Sequence, residues 1–175
     1  NSHITFTEIE GILSGYHNQV KTYHLQKSYR SSGAITETFN KLIASNRQVE
    51  PVQPTGEAVI KVRTKNHEAF KILVENKLAE KGVSSVTVIT KTSHERREVL
   101  ALFDDNLIRQ KKVVVLSIML AKGLEFDHVI LYDVSDKNYV SEQDKRLLYT
   151  AVSRGMKSLT ITYKNQLTLF LTKTE

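Results

Sequence analysis

The chain has 175 residues, enough for one domain with a hydrophobic core, and its 40% hydrophobic and 25% charged composition with 7 Gly and 2 Pro excludes disordered, collagen-like and low-complexity classes. The absence of cysteine removes disulfides, thiolate catalysis and Cys-ligated zinc, and no apolar run reaches the roughly 20 residues that a membrane span requires. Lys and Arg number 25 against 19 Asp and Glu, and the resulting +6 favours a polyanionic partner, because basic side chains that neutralise phosphates release counterions.

The chain opens at Asn1 without a Met or a basic-then-apolar signal pattern, and so reads as a processed form or an excised piece of something longer. Residues 1–21, with Phe6, Ile9, Ile12 and Leu13, suggest a helical lead-in, and 22–175 read as one domain. The segment 22–27 is strand-like, and Ser31 or Ser32 then caps a helix carrying Ala34, Ile35, Phe39, Leu42 and Ile43 at helical spacing. Pro51, Pro54 and Gly56 mark an exposed connector. A strand over 58–62 leads to a helix built on Ala69, Phe70, Leu73, Val74 and Leu78, which Gly82 ends before a strand at 86–89. Thr92 with Glu95 has the spacing of a capping box and opens a helix to about Leu107. Two apolar strands follow, at 113–116 and 129–132. Ser141 and Asp144 then cap a helix that ends near Gly155, and 159–163 supplies a last strand. Strands alternating with helices predict an α/β domain with a mainly parallel, doubly wound sheet, in which ligands sit at the carboxyl ends of strands.

Three stretches carry candidate chemistry. Ser28-Tyr29-Arg30-Ser31-Ser32 falls where a strand is expected to give way to a helix. Backbone N–H groups and a guanidinium there make an anion site, with Tyr29 as a flat face for a base; a capped helix with a solvated Arg is the plain alternative. Ala121-Lys122-Gly123-Leu124-Glu125-Phe126-Asp127 follows an apolar strand. Lys122 and Gly123 offer a point charge and close backbone approach to a phosphate, and Glu125 an acceptor for a ribose; an ordinary turn over packed Leu124 and Phe126 is the alternative. In the third, from Asp144 to Gly155, Leu147, Leu148, Ala151 and Val152 cover one arc of an amphipathic helix. Arg154 in its last turn either complements the helix dipole or reaches across an interface to a nucleotide phosphate.

Missing motifs narrow the field. There is no G-x-x-x-x-G-K-[ST] phosphate loop, so the chain cannot by itself cradle and hydrolyse a nucleoside triphosphate in that manner. The six histidines show no paired ligand spacing, and no metal site is expected. No G-x-S-x-G occurs.

In order and context the three stretches resemble motifs of the second RecA-like domain (2A) of superfamily 1 helicases of the UvrD/Rep kind. Leu25-Gln26-Lys27-Ser28-Tyr29-Arg30-Ser31 is similar to motif IV, residues 113–127 with their Ala-Lys-Gly-Leu-Glu-Phe core to motif V, and Arg146-Leu147-Leu148-Tyr149-Thr150-Ala151-Val152-Ser153-Arg154 to motif VI. Residues 90–98 resemble motif IVa. The resemblance implies that Tyr29 stacks on adenine, Arg30 and Lys122 meet the phosphates beside Gly123, Glu125 holds the ribose and Arg154 is an arginine finger, with Arg154 and Arg30 catalytic. Ser117, Met119 and Ser153 fall where contact with single-stranded DNA is implied. ATP would then be the cofactor. Its phosphate loop and Mg²⁺-binding carboxylate would belong to an N-terminal RecA-like domain of the same polypeptide, and this chain alone would be inactive.

Two departures separate the chain from UvrD and Rep. The large 2B insertion before motif V is missing, and Met119 stands where those helicases usually have His. Both look more like the helicase IV/HelD branch, whose HelD members act on RNA polymerase and use ATP to help release it from nucleic acid. The expected function is thus the C-terminal motor domain of a cytoplasmic, ATP-dependent DNA helicase or translocase, with a polymerase-remodelling ATPase module as the alternative.

Overall fold

A computed structural model describes residues 27–32, 34–35, 50–53 and 59–172, giving the backbone alone for 27–32 and 50–53. β1 (Lys27–Ser32) and β2 (Glu50–Gln53) form a parallel pair, with Lys27 opposite Glu50 and Ser28 opposite Pro51. Both strands correct the sequence reading. The strand expected over 22–27 runs on through Ser32, Ala34 and Ile35 are helical beyond it, and the cap expected of Ser31 or Ser32 falls on side chains outside the described residues. Pro51, expected in a connector, sits inside β2; a strand with one paired edge tolerates a residue that has no N–H to give. The lead-in over 1–21, Phe39, Leu42, Ile43, Pro54 and Gly56 lie outside the described residues.

The main sheet has five strands, all parallel: β3 (Ile60–Arg63), β4 (Val86–Thr90), β5 (Val113–Ser117), β6 (Phe126–Leu131) and β7 (Gly155–Tyr163), in the order β3-β7-β6-β4-β5. Parallel strands covered on both faces need apolar side chains at nearly every position, and all five residues of β4 are buried. Alternation then sends Val86 and Val88 of β4, Val113 and Val115 of β5, and Ile130 of β6 to one face, while Ile89, Val129, Leu131, Leu159 and Ile161 point to the other.

Each face has its own helices. The first packs under α1 (His67–Leu78), α2 (Ser93–Leu100) and α3 (Asp105–Arg109) through Phe70, Val74, Val99 and the partly buried Leu107. The second packs under α4 (Ile118–Ala121), α5 (Glu142–Val152) and α6 (Leu169–Thr172) through Ile118, Ala121, Leu148, Ala151, Val152 and Leu171. This is the doubly wound α/β architecture read from the sequence, and no helix among the described residues is long and apolar enough to cross a membrane.

Local signals set several boundaries. Ser141 and Asp144 form a reciprocal capping box at the start of α5. At α2 the Thr92 hydroxyl accepts from Glu95 N–H, but the Glu95 carboxylate reaches past the cap to Lys91 N–H at 2.9 Å. The single helix expected from Thr92 to Leu107 is two, because Phe103 drops into the core between them at 6% exposure and the chain turns around it. Two glycines expected to end helices do other work. α1 stops at Leu78 with Gly82 in the following turn at φ +84°, and α5 stops at Val152 with Gly155 already opening β7.

The arc of Leu148, Ala151 and Val152 fixes how α5 sits on the sheet. Leu148 is fully enclosed and Leu147 only partly, so Leu148→Ala leaves a cavity costing about 3 kcal/mol, and Leu147→Ala costs less than half of that. Urea unfolding of the two variants checks this; equal losses would mean that the helix is rotated from the position described.

Candidate functional site

The motif V-like and motif VI-like stretches meet at the amino ends of β6 and β7. Phe126 N–H donates to Arg154 O at 2.8 Å, and Phe126 pairs with Gly155, so Glu125 and Arg154 stand at neighbouring strand entrances. Lys122 and Gly123 form the turn before β6. Leu124 N–H closes it onto Ala121 O at 3.0 Å, with Lys122 at φ −52°, ψ 128° and Gly123 at φ +77°, the signature of a type II turn whose third position demands positive φ. The sequence reading placed this loop at a strand's carboxyl end. In the structure α4 intervenes after β5, and the turn instead delivers the chain to the amino end of β6.

Arg154 lies just past α5 rather than inside it, and is 3% exposed. Its Nε donates to Thr150 O at 3.0 Å and its Nη2 to Ser153 Oγ at 2.9 Å. Glu125 and Lys122 are half-buried, and burial holds the Lys122 ammonium below its ordinary range. Gly123 is buried, and Ile35, shortly after β1, packs into the same region: its Cδ1 lies 3.4 Å from where a Cβ on Gly155 would stand. For Tyr29 and Arg30 the side chains lie outside the described residues; their backbone belongs to β1, which approaches β7.

The residues expected to face nucleic acid divide. Ser117, 2% exposed, caps α4 by accepting from Leu120 N–H, and Ser153, 2% exposed, is bonded to Thr150 and Arg154, so neither reaches the surface. Met119 is 51% exposed on α4. Among the described residues no group of three or more His, Cys, Asp or Glu is placed to hold a metal ion.

A second polar constellation occupies the opposite edge, where β4 and β6 are adjacent but their connections leave in opposite directions. Lys91 Nζ donates to Asn138 O at 2.6 Å and pairs with Asp144 at 2.9 Å; Asn138 Nδ2 bonds both Glu95 Oε2 and Asp133 O at 2.9 Å. Asp133 takes φ +54° and is held by the Ser135 hydroxyl and, at 3.7 Å, the Lys164 ammonium. Burial raises the Glu95 carboxyl above its usual range against the opposing pull of Lys91 N–H and the Asn138 amide. For Asp144 burial also acts upward, but the Val140 and Ser141 N–H groups and Lys91 outweigh it and hold the carboxyl at about 2. Sequence reasoning gave Glu95 and Asp144 as caps, placed Lys91 only within the motif IVa-like 90–98 segment, and missed Asp133 and Asn138. The polar run after the β6 strand was the one available signal.

Among the described residues, cation, glycine turn and carboxylate converge at the amino edge. Arg154 carries a permanent charge, Glu125 accepts from hydroxyls, and Gly123 lets backbone come close, a set that fits a phosphorylated, hydroxyl-bearing ligand.

Two measurements bear on this geometry. Gly123→Ala forces a side chain into positive φ and costs about 1 kcal/mol or more, read by chemical denaturation, whereas no loss would mean the turn is not type II. Asp144 titrates near 2 when folded against an ordinary 3.8, so the stability it contributes is complete above about pH 4 and disappears as pH falls through 2. Asp144→Asn therefore lowers the melting temperature at neutral pH and flattens its decline in acid; an unchanged acid limb would remove Asp144 as its source.

Residues 112–162 match the family model for the UvrD-like helicase C-terminal domain, a span containing Ser117, Lys122, Glu125 and Arg154 but not Tyr29 or Arg30. Among solved structures, the chain is similar to the C-terminal domain of a possible DNA helicase from Lactobacillus plantarum WCFS1 at 31% identity and a TM-score of 0.68, over 85% of this chain and 94% of that one. A search of curated proteins gives no match. With the doubly wound sheet and the amino-edge constellation in place, the chain belongs to the UvrD-like helicase C-terminal domains.

Proposed function

We infer that this chain is the second RecA-like motor domain of an ATP-dependent superfamily 1 DNA helicase or translocase. It completes an ATP site whose phosphate loop and Mg²⁺ ligands reside in a first RecA-like domain of the same polypeptide. The observation that supports this best is the bond from Phe126 N–H to Arg154 O, which sets Glu125 and Arg154 side by side at one sheet edge with the Lys122–Gly123 turn next to them. Bound ATP supplies the phosphoryl group. The residues here orient it and offset charge: Lys122 and Arg30 toward the phosphates, Glu125 toward the ribose, Tyr29 against adenine. Arg154 acts on the charge that develops as the phosphoryl group leaves.

Met119, exposed beyond the carboxyl end of β5, offers single-stranded DNA an apolar contact for a base or sugar rather than a hydrogen bond. Closure of the two motor domains on ATP would drive movement along the strand.

A polymerase-remodelling module of the helicase IV/HelD kind is the second reading. Met119 favours it, as does the short 101–112 connection, where only α3 lies between α2 and β5 and no domain is inserted.

Turnover by the full-length protein, with and without single-stranded DNA, tests both. In the motor reading DNA raises ATP hydrolysis and Arg154→Ala lowers kcat by about 10³-fold while the fold persists. Hydrolysis indifferent to DNA would favour remodelling. Normal turnover in a folded Arg154→Ala protein would remove Arg154 from the reaction.

A further inference from the structure

We propose that Ser153 is a positioning residue for Arg154, an assignment that rests on the reading of Arg154 as the charge-stabilising group of a shared ATP site. The Ser153 hydroxyl donates its one proton to Thr150 O at 2.9 Å and accepts from Arg154 Nη2 at 2.9 Å. Arg154 Nε donates to the same Thr150 carbonyl at 3.0 Å. The three groups close a small ring at the carboxyl end of α5, where the last carbonyls of a helix lack partners along the axis and its dipole favours a cation.

The ring has a definite consequence for the guanidinium. Nε and Nη2 lie on one edge of its plane, and anchoring both to fixed points sets the rotation of that plane about the side-chain axis. A single bond would leave this rotation open. Ser153 supplies the anchor at Nη2 and is itself 2% exposed, so its hydroxyl serves the interior rather than a ligand at the surface. A charge-stabilising arginine gains from such preorganisation, because displacement by about 1 Å can cost about 10²-fold in rate. Ser153 thus acts through Arg154, in place of the nucleic-acid contact that its position in the sequence suggested.

The test uses the full-length protein carrying Ser153→Ala, Ser153→Thr or Arg154→Ala, with thermal unfolding to confirm that each variant folds. Ser153→Ala is expected to lower kcat about 10-fold or more with KM for ATP and affinity for single-stranded DNA nearly unchanged, and Ser153→Thr, which keeps the hydroxyl, to recover most of the loss. In the chain itself, NMR of the Arg154 guanidinium should show slowed rotation that Ser153→Ala releases. A collapse of turnover in Arg154→Ala with wild-type kcat in Ser153→Ala would overturn the proposal and leave the reading of the site standing. A raised KM alone, or a loss confined to DNA affinity, would make Ser153 a binding contact and overturn it too. Wild-type turnover in Arg154→Ala would overturn the site reading itself.

Discussion

The pairing of β6 with β7 is the constraint on which the site depends. Its first rung, Phe126 N–H to Arg154 O at 2.8 Å, joins two segments whose chemistry is otherwise unrelated in sequence. A register shift follows between Phe126 and His128, after which His128 faces Ser158, with its Nδ1 2.7 Å from the Ser158 hydroxyl in the buried interior. Deeper in the sheet the same two strands must place Val129, Leu131, Leu159 and Ile161 under α4 and α5, and Ile130 under the opposite helices. A slip of one residue would reverse every one of these, so the apolar pattern of the core holds Glu125 and Arg154 in register. The geometry of this candidate edge is fixed because the hydrophobic interior leaves it no alternative.

The opposite edge shows what the fold does with the position that a doubly wound sheet ordinarily offers to a ligand. Between β4 and β6 the space is taken by the chain's own charges. Lys91 is tied to Asn138 and Asp144, Asn138 is tied to Glu95 and Asp133, and the Lys91 ammonium lies 5.3 Å from the ring centroid of the enclosed Tyr139. Several partners on each group offset part of the cost of placing polar and charged side chains in a partly buried position, which a lone pair would do less completely. The network ties the start of α2, the loop after β6 and the start of α5 into one unit. α5 is thus held at both ends: by the Asp144–Lys91 pair at the carboxyl edge of the sheet, and by the bond from Phe126 N–H to Arg154 O just past its end at the amino edge.

What the sequence disclosed follows the range of the interactions. Thr92, Ser141 and Asp144 were legible as caps because a cap is settled within four residues, and Leu148, Ala151 and Val152 because helical spacing is local. The strand-helix alternation implied the parallel sheet for the same reason. The division of α2 from α3 was hidden, since Leu100, Phe103 and Leu107 suit a continuous helix and only packing under the sheet decides that Phe103 should turn inward. Strand β2 was hidden behind Pro51, which signals a loop unless a partner strand at hand accepts it as an edge. At the site, Lys122, Gly123, Glu125 and Arg154 were identifiable as residue types in motifs. The placement of Lys122, Gly123 and Glu125 at the amino rather than the carboxyl edge was not, because α4 reverses the chain between β5 and β6 and its four residues leave no periodic trace. The burial of Ser117 and Ser153 was equally out of reach, as it depends on where two different helices end.

The two glycines that bracket the site are required for different physical reasons, and the contrast shows how the edge is built. Gly123 answers to conformation: at φ +77° the turn before β6 admits few residues with a side chain, and the tight return places Glu125 at the strand entrance. Gly155 answers to space. A Cβ there would stand 3.1 Å from the Ser158 carbonyl oxygen, which would have to give by a few tenths of an ångström, and in ordinary contact with Ile35 Cδ1 at 3.4 Å. Because Arg154 immediately precedes Gly155 and its carbonyl carries the first rung to β6, that strain would reach the arginine before any other residue of the site. The absence of a side chain at position 155 therefore lets Ile35 and the Ser158 carbonyl close in beside the strand entrance where Phe126 N–H meets Arg154 O.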